Sequence, residues 1–197
     1  MRVIAAQSLS VLCVFNPKIV IEVILIPLIE KCFSKALQIR HGAILGVGEL
    51  LIGLSGNSSI NRREVLERAF KTLSMKERKI IEESDHQNVF KQIYEKKSST
   101  DYIKDVMPEG GDLSNSVKGI IQRVEKERLY KGKGGEIMRA GVCHLIFSIS
   151  TANLKLDSGL LLSFFQTMIE NFKHPNQDIQ DEAARAFEIF CQTYFTE

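Results

Sequence analysis

Two stretches hold side chains of the kinds that do chemistry. The first is "QIRHGAILGVGELL" (38–51), where Arg40 and His41 stand directly ahead of a long apolar run. An arginine beside a histidine can clamp a phosphate or a carboxylate, and an imidazole that titrates near neutrality can act as a general base. Base catalysis also needs a hydroxyl, thiol or carboxylate within reach. At helical spacing the nearest is Glu49, two turns further on. The second stretch is "LYKGKGGEIMRAGVCHLI" (129–146), where Lys131 and Lys133 alternate with Gly132, Gly134 and Gly135 ahead of a helix. A helix N-terminus attracts anions, but a phosphate loop of the G-x4-G-K-[ST] type, following a strand, is not present.

Each of these residues also has a structural reading. Arg40, and with it Arg2 and Arg139, reads as an anchor between repeats, bonding to carbonyls or carboxylates of the next layer. His41 points about 100° away from Arg40 around the helix, toward the surface or a crevice between helices. The glycines at 132–135 read as a tight turn that lets two helices cross closely, and His144 as a hydrogen-bonded core histidine. Contacts with a protein partner are expected at His41, Lys131 and Lys133. No catalytic constellation, metal site or cofactor site assembles from these residues.

The elements that must carry them are helical. Val3, Ala6, Leu9, Leu12 and Cys13 form one apolar stripe over 1–14, at the spacing of a half-buried helix. "FNPK" (15–18) ends it, because proline cannot continue the hydrogen-bond pattern. The spacing predicts further helices over 19–33, kinked at Pro27, and over 37–54, 61–73, 75–97, 116–130, 135–151, 158–173 and 176–195. Asp157 or Ser158 is placed to cap the seventh of these helices after the first, at 158–173. "KKSSTDYIKDVMPEGGDLSNS" (96–116) reads as a loop by composition and is expected to be disordered. No stretch alternates with period two, so the class is all-α.

The helices repeat. Counting from Arg2, offsets of three, four and seven hold Ala5, Ala6 and Leu9; from Arg40 they hold Ala43, Ile44 and Val47. Arg139 gives Val142, Cys143 and Ile146, and Gln180 gives Ala183, Ala184 and Phe187. The first two anchors are 38 positions apart and the last two 41, close to the roughly 40–47 residues of HEAT and armadillo units. Between Arg40 and Arg139 lie 99 positions, too many for one unit. The expected fold is therefore an α-solenoid of antiparallel helical hairpins over 1–54 and 117–197, with a charged helical insertion at 55–116. Because the first anchor has no preceding helix to pair with, the chain is expected to start in mid-repeat, as a piece of a larger protein.

Bulk properties narrow the partners. The 197 residues include 44% hydrophobic and 25% charged residues, with a formal net charge of +2. That balance gives no electrostatic case for nucleic acid or a membrane surface as the main partner. The most apolar short run, "IVIEVILIPLI" (19–29), is about half the ~20 residues that a membrane span requires. Cys13, Cys32, Cys143 and Cys191 are widely separated, in neither disulfide-framework nor metal spacing. They read as small core hydrophobes of a reducing compartment. The mixed run 62–84 interleaves acids and bases, which suits a solvated helix face or a surface for an acidic or mixed-charge protein.

"RHGAIL" (40–45), followed by "LYKGKGG" (129–135) and "MRAGVC" (138–143), resembles, in the same order, the motifs of the tubulin-folding cofactor D family. The ending "EAARAFEIFCQTYFTE" resembles the helix that follows in that family, while 55–116 is longer and more charged than the family pattern. The resemblance implies a HEAT-repeat cytoplasmic, cytoskeleton-associated chaperone that captures β-tubulin. With other tubulin-folding cofactors and an Arf-like small GTPase, such a protein assembles or dismantles the αβ-tubulin heterodimer. It would work by surface recognition, and any GTP hydrolysis would belong to tubulin or the GTPase. Two other readings stand beside it. One is a HEAT scaffold of transport or adaptor type with no tubulin affinity. The other is an enzyme using His41 or the "KGKGG" turn on a phosphorylated ligand.

Overall fold

The computed structural model describes residues 2–13, 16–55, 75–76, 103, 107–130 and 134–196. All regular structure among them is helical. Helix α1 covers Arg2–Leu12, and α2 runs without a break through Pro17–Ile19, Val20–Leu25 and Ile26–Lys31. Then come α3 (Leu37–Ser55), α4 (Asp112–Lys118), α5 (Ile120–Lys126), α6 (Gly135–Thr151), α7 (Ser158–Phe172) and α8 (Gln177–Tyr194).

The helix starts follow from local chemistry. Asn16 accepts a hydrogen bond from the Ile19 N–H, with Pro17 at the first helical position, where its missing donor costs nothing. Asp157 caps α7 by accepting from the Leu160 N–H at 2.9 Å, and Asn176 caps α8 through the Asp178 N–H. Two expected helices take a different course. Pro27 would clash with the carbonyl four residues back in a regular α-helix. The preceding turn instead widens to a π-helix at Val20–Leu25, where the Ile26 N–H reaches the Ile21 carbonyl five residues back. The helix expected over 116–130 is two short helices, α4 and α5, meeting at Gly119.

The helices form two layers. In one, α1 packs on α3, α3 on α6 and α6 on α8. In the other, α2 touches α4, and α5 is tied to α7 by a hydrogen bond from the Thr167 hydroxyl to Glu125. Pairs α2/α3, α4–α5/α6 and α7/α8 are therefore successive hairpins of an all-α solenoid. The long interval between Arg40 and Arg139 does not separate their helices, since α6 packs directly on α3. Of the intervening chain, Ile103 and Met107 are buried in the core, and α4 begins at Asp112. This overlaps the stretch whose polar composition reads as loop, because its few apolar residues are the ones the core recruits. The two helices expected within 61–97 lie outside the described residues apart from Met75 and Lys76, which are helical.

One apolar core runs the length of the stack, with Leu25, Ile44, Leu50, Ile121, Met138, Ile146, Phe164 and Phe190 among its fully buried side chains. Among the described residues, the helix of membrane-spanning length and apolarity is α3, not 19–29, and 67% of its most apolar window is buried inside the protein. It is the central helix of the stack. Cys13, Cys32 and Cys143 are buried and Cys191 half-buried, none of them in a disulfide among the described residues. Burial pushes the Cys32 and Cys143 thiols up to about 12, so both stay protonated.

Glycines set the closest crossing. A Cβ at Gly53 would lie 2.6 Å from the Ser10 carbonyl oxygen and 2.8 Å from its Cα, so α1 must move if a side chain appears there. Gly53→Ala is expected to destabilise by a net ~1 kcal/mol, overpacking of about 1–3 kcal/mol being offset by ~1 kcal/mol of helix propensity. Gly42→Ala, whose Cβ would meet nothing nearer than Arg2 Cδ at 3.8 Å, should instead stabilise by a few tenths to ~1 kcal/mol. Urea unfolding of the two variants checks the opposite signs.

Candidate functional site

The helix-start arginines are engaged in joining hairpins. Arg40 is buried, and its guanidinium donates to the Ser34 carbonyl at 2.6 Å, the Lys35 carbonyl at 3.4 Å and, across the next hairpin, the Leu129 carbonyl at 3.4 Å. Gln180, at the equivalent repeat position, donates to the His174 carbonyl at 2.7 Å. Both side chains thus reach the carbonyl six residues back, in the turn that leads into their own helix. Arg139 donates to the Asn171 side-chain oxygen of α7 at 3.0 Å and lies over the Tyr130 ring at 5.0 Å. Arg2 donates from Nε to His41 Nδ1 at 3.2 Å, linking α1 to α3.

That last bond fixes the state of His41. A guanidinium only donates, so Nδ1 is the acceptor and the ring proton sits on Nε2. The ring is wedged between layers, only 8% exposed, in space left by Gly141 of α6, where a Cβ would lie 3.1 Å from His41 Cδ2. Burial, then the positive charge of Arg2, then His144, push its pKa down from 6.5 to about 4. His41 is accordingly neutral near pH 7.

Facing it is a second set of polar groups. His144 of α6 places Nε2 3.2 Å from the Glu49 carboxylate of α3, near enough for an ion pair if the ring is protonated. The ring is not aimed at the oxygen, however, and this buried Nε2 makes no hydrogen bond among the described residues. From α8, Glu182 lies 3.9 Å from Arg185, whose guanidinium stacks over Phe147 at 4.1 Å. His41, Glu49, His144, Glu182 and Arg185 line one crevice of about 170 Å³, closed on the α1 side by Val3 and Ala6. The described residues lining it bring charge and hydrogen-bonding groups but neither a hydroxyl nor a thiol, so the arrangement is suited to holding a polar group.

A second cavity of about 290 Å³ lies between α5 and α7, bounded by Glu125, Arg128, Tyr130, Arg139, Thr167 and Glu170. Burial raises the Glu125 pKa above the usual carboxylate range, against the lowering effect of its bond from Thr167. Lys131 and Lys133 lie outside the described residues. The glycines after them are sterically required. Gly134 has φ +90° and a Cβ there would overlap Leu37, while a Cβ on Gly135 would run into the Tyr130 carbonyl. The turn thus packs tightly against the start of α3.

Of the residues singled out in the sequence, the structure brings together Arg2 and His41, and sets His144 close by. It puts Arg40 and Arg139 elsewhere, at the hairpin ends. Glu49 lies beside His144 and not beside the His41 of its own helix. Glu182 and Arg185 were not indicated by the sequence reading. A signal was present for Arg185 and not for Glu182: with the anchors aligned, positions one, five and nine residues on are His41, Leu45 and Glu49 in α3, Ala140, His144 and Ser148 in α6, and Asp181, Arg185 and Ile189 in α8. These offsets share one helix face, and reading only the apolar offsets passed it over.

No protein-family profile matches the chain, and no solved structure matches it. Over 159 residues, 81% of its length, the chain is 24% identical to the tubulin-specific chaperone D of Dictyostelium discoideum. It spans 8% of the length of that relative.

Proposed function

We propose that this chain is a protein-binding segment of a tubulin chaperone. It contacts β-tubulin and, together with other tubulin-folding cofactors and an Arf-like small GTPase, serves the assembly or dissociation of the αβ-tubulin heterodimer in the cytoplasm. It contributes recognition and no chemistry of its own. The observation that carries this reading is the similarity to tubulin-specific chaperone D along 81% of the chain. The fold suits it: stacked hairpins hold a rigid, extended surface on which side chains from several layers meet one partner. The contact face we favour is the one built by α1, α3, α6 and α8, where His41, itself buried, lines the polar crevice.

Size-exclusion co-elution of the chain with purified αβ-tubulin, at low and high salt, tests the reading. The expected result is a shared peak that weakens as salt screens the contacts. A folded chain that elutes separately from tubulin at both salt concentrations contradicts tubulin contact by this segment.

A further inference from the structure

We propose that the crevice between α3, α6 and α8 is a receptor for a single arginine side chain presented by a protein partner. Glu182 lines the crevice wall with its side chain 34% exposed, and its buried Oε2 has no hydrogen-bond partner among the described residues. A carboxylate oxygen withdrawn from water and left unbonded is costly, so a donor brought to it is favoured. On the opposite wall, Glu49 lies 3.2 Å from His144 Nε2, which makes no hydrogen bond among the described residues. Two carboxylates from different helices therefore face one cavity with acceptor capacity to spare.

The cationic groups already present do not fill that capacity. Arg185 is held over the Phe147 ring and stands 3.9 Å from Glu182, beyond hydrogen-bond range. Arg2 is committed to His41 Nδ1. His41 is neutral, with its single proton on Nε2, so it adds no competing charge. Size selects among ligands: about 170 Å³ is below the roughly 300–1,000 Å³ of typical small-molecule pockets, and is the room one side chain needs. A guanidinium suits it better than an ammonium, because its planar fork of five donors can serve two carboxylates at once. Gly48 and Gly141 make room for the rings that wall the crevice, since a Cβ at Gly48 would press on Ser148 and the His144 ring and one at Gly141 on the His41 ring. The proposal stands apart from the tubulin reading, as it concerns the group recognised and not the protein that carries it.

The test uses the whole chain and small probes. N-acetyl-arginine amide is titrated while the ring resonances of His41 and His144 are followed by NMR, with N-acetyl-citrulline amide as the neutral probe of the same shape. The arginine probe should give saturable shifts at His144, and the citrulline probe should bind at least tenfold more weakly. Glu182→Gln and Glu49→Gln, which keep size and remove charge, should each weaken the arginine probe tenfold or more, with thermal melting confirming the fold. Equal response to both probes, no saturable shift, or undiminished binding by Glu182→Gln would overturn the proposal. The probe comparison on the unaltered chain decides the matter even where a variant fails to fold.

Discussion

Arg40→Leu is expected to destabilise the protein by about 3 kcal/mol, the largest effect of any single polar substitution in the stack. The guanidinium serves three carbonyls, two in the turn before α3 and one, at Leu129, in the following hairpin. A hydrogen bond from a charged donor contributes about 1.5–3 kcal/mol, and a buried carbonyl left without a donor costs about 1–3 kcal/mol. Against this, Arg40 Nε is itself buried without a partner, a penalty that leucine removes. The Leu129 bond joins two hairpins, so its loss should also reduce coupling between them. In a stack whose stability is a sum of unit and interface terms, that appears as a broader unfolding transition with a lower m-value. Gln180→Leu, which removes the equivalent bond to the His174 carbonyl, loses a neutral interaction of only about 1 kcal/mol. Urea unfolding followed by circular dichroism measures both. A loss below about 1 kcal/mol for Arg40→Leu, with an unchanged transition, would remove the arginine from its anchoring role.

Acid should expose His41 in a similar way. Its pKa is 6.5 when unfolded and about 4 in the fold. Between these values the unfolded chain binds a proton that the folded chain does not, so stability falls as pH drops from about 6.5 toward 4. The full contribution is present above pH 6.5, and a shift of this size corresponds to about 2–3 kcal/mol once part of it is assigned to solvent reaching the ring. Glu125 works in the opposite sense: its raised folded pKa makes the protein gain stability as that carboxyl takes up its proton. The measurement is therefore a difference: unfolding free energies of the unaltered chain and of His41→Leu at pH 7 and pH 4.5. The unaltered chain should lose more than the variant by roughly 2 kcal/mol. Parallel pH profiles would mean that the imidazole is as easily protonated in the fold as outside it.

How much of this was readable in the sequence depended on whether the signal was local. The helices of α1, α3, α6, α7 and α8 follow from the 3.6-residue period, and the start at Asp157 from side-chain capping. The repeat was visible because the same anchor offsets recur, and the structure adds that Arg40 and Gln180 reach the same backbone position. The π-turn ahead of Pro27 was not readable, since a proline signals that the regular helix fails without saying how the chain accommodates it. Nor was the adjacency of α3 and α6 across the long interval, which is set by the packing of Ile44, Gly48 and Gly141 against the facing helix. The polar crevice lies between these cases. His41 and Glu49 are evident as polar residues on an apolar helix, but Glu49 finds its neighbour in His144, which lies 95 positions further on. Only once the layers are stacked do residues so distant share a wall.

If the face carrying His41 is where a partner protein is held, hydrogen–deuterium exchange of the chain, alone and with saturating αβ-tubulin, will locate it. Exchange is expected to slow along the exposed parts of α1, α3, α6 and α8, centred near His41 and Arg185, with little change on α2 and α7. Unchanged exchange on all four helices at saturating tubulin, or protection confined to α2 and α7, would contradict it.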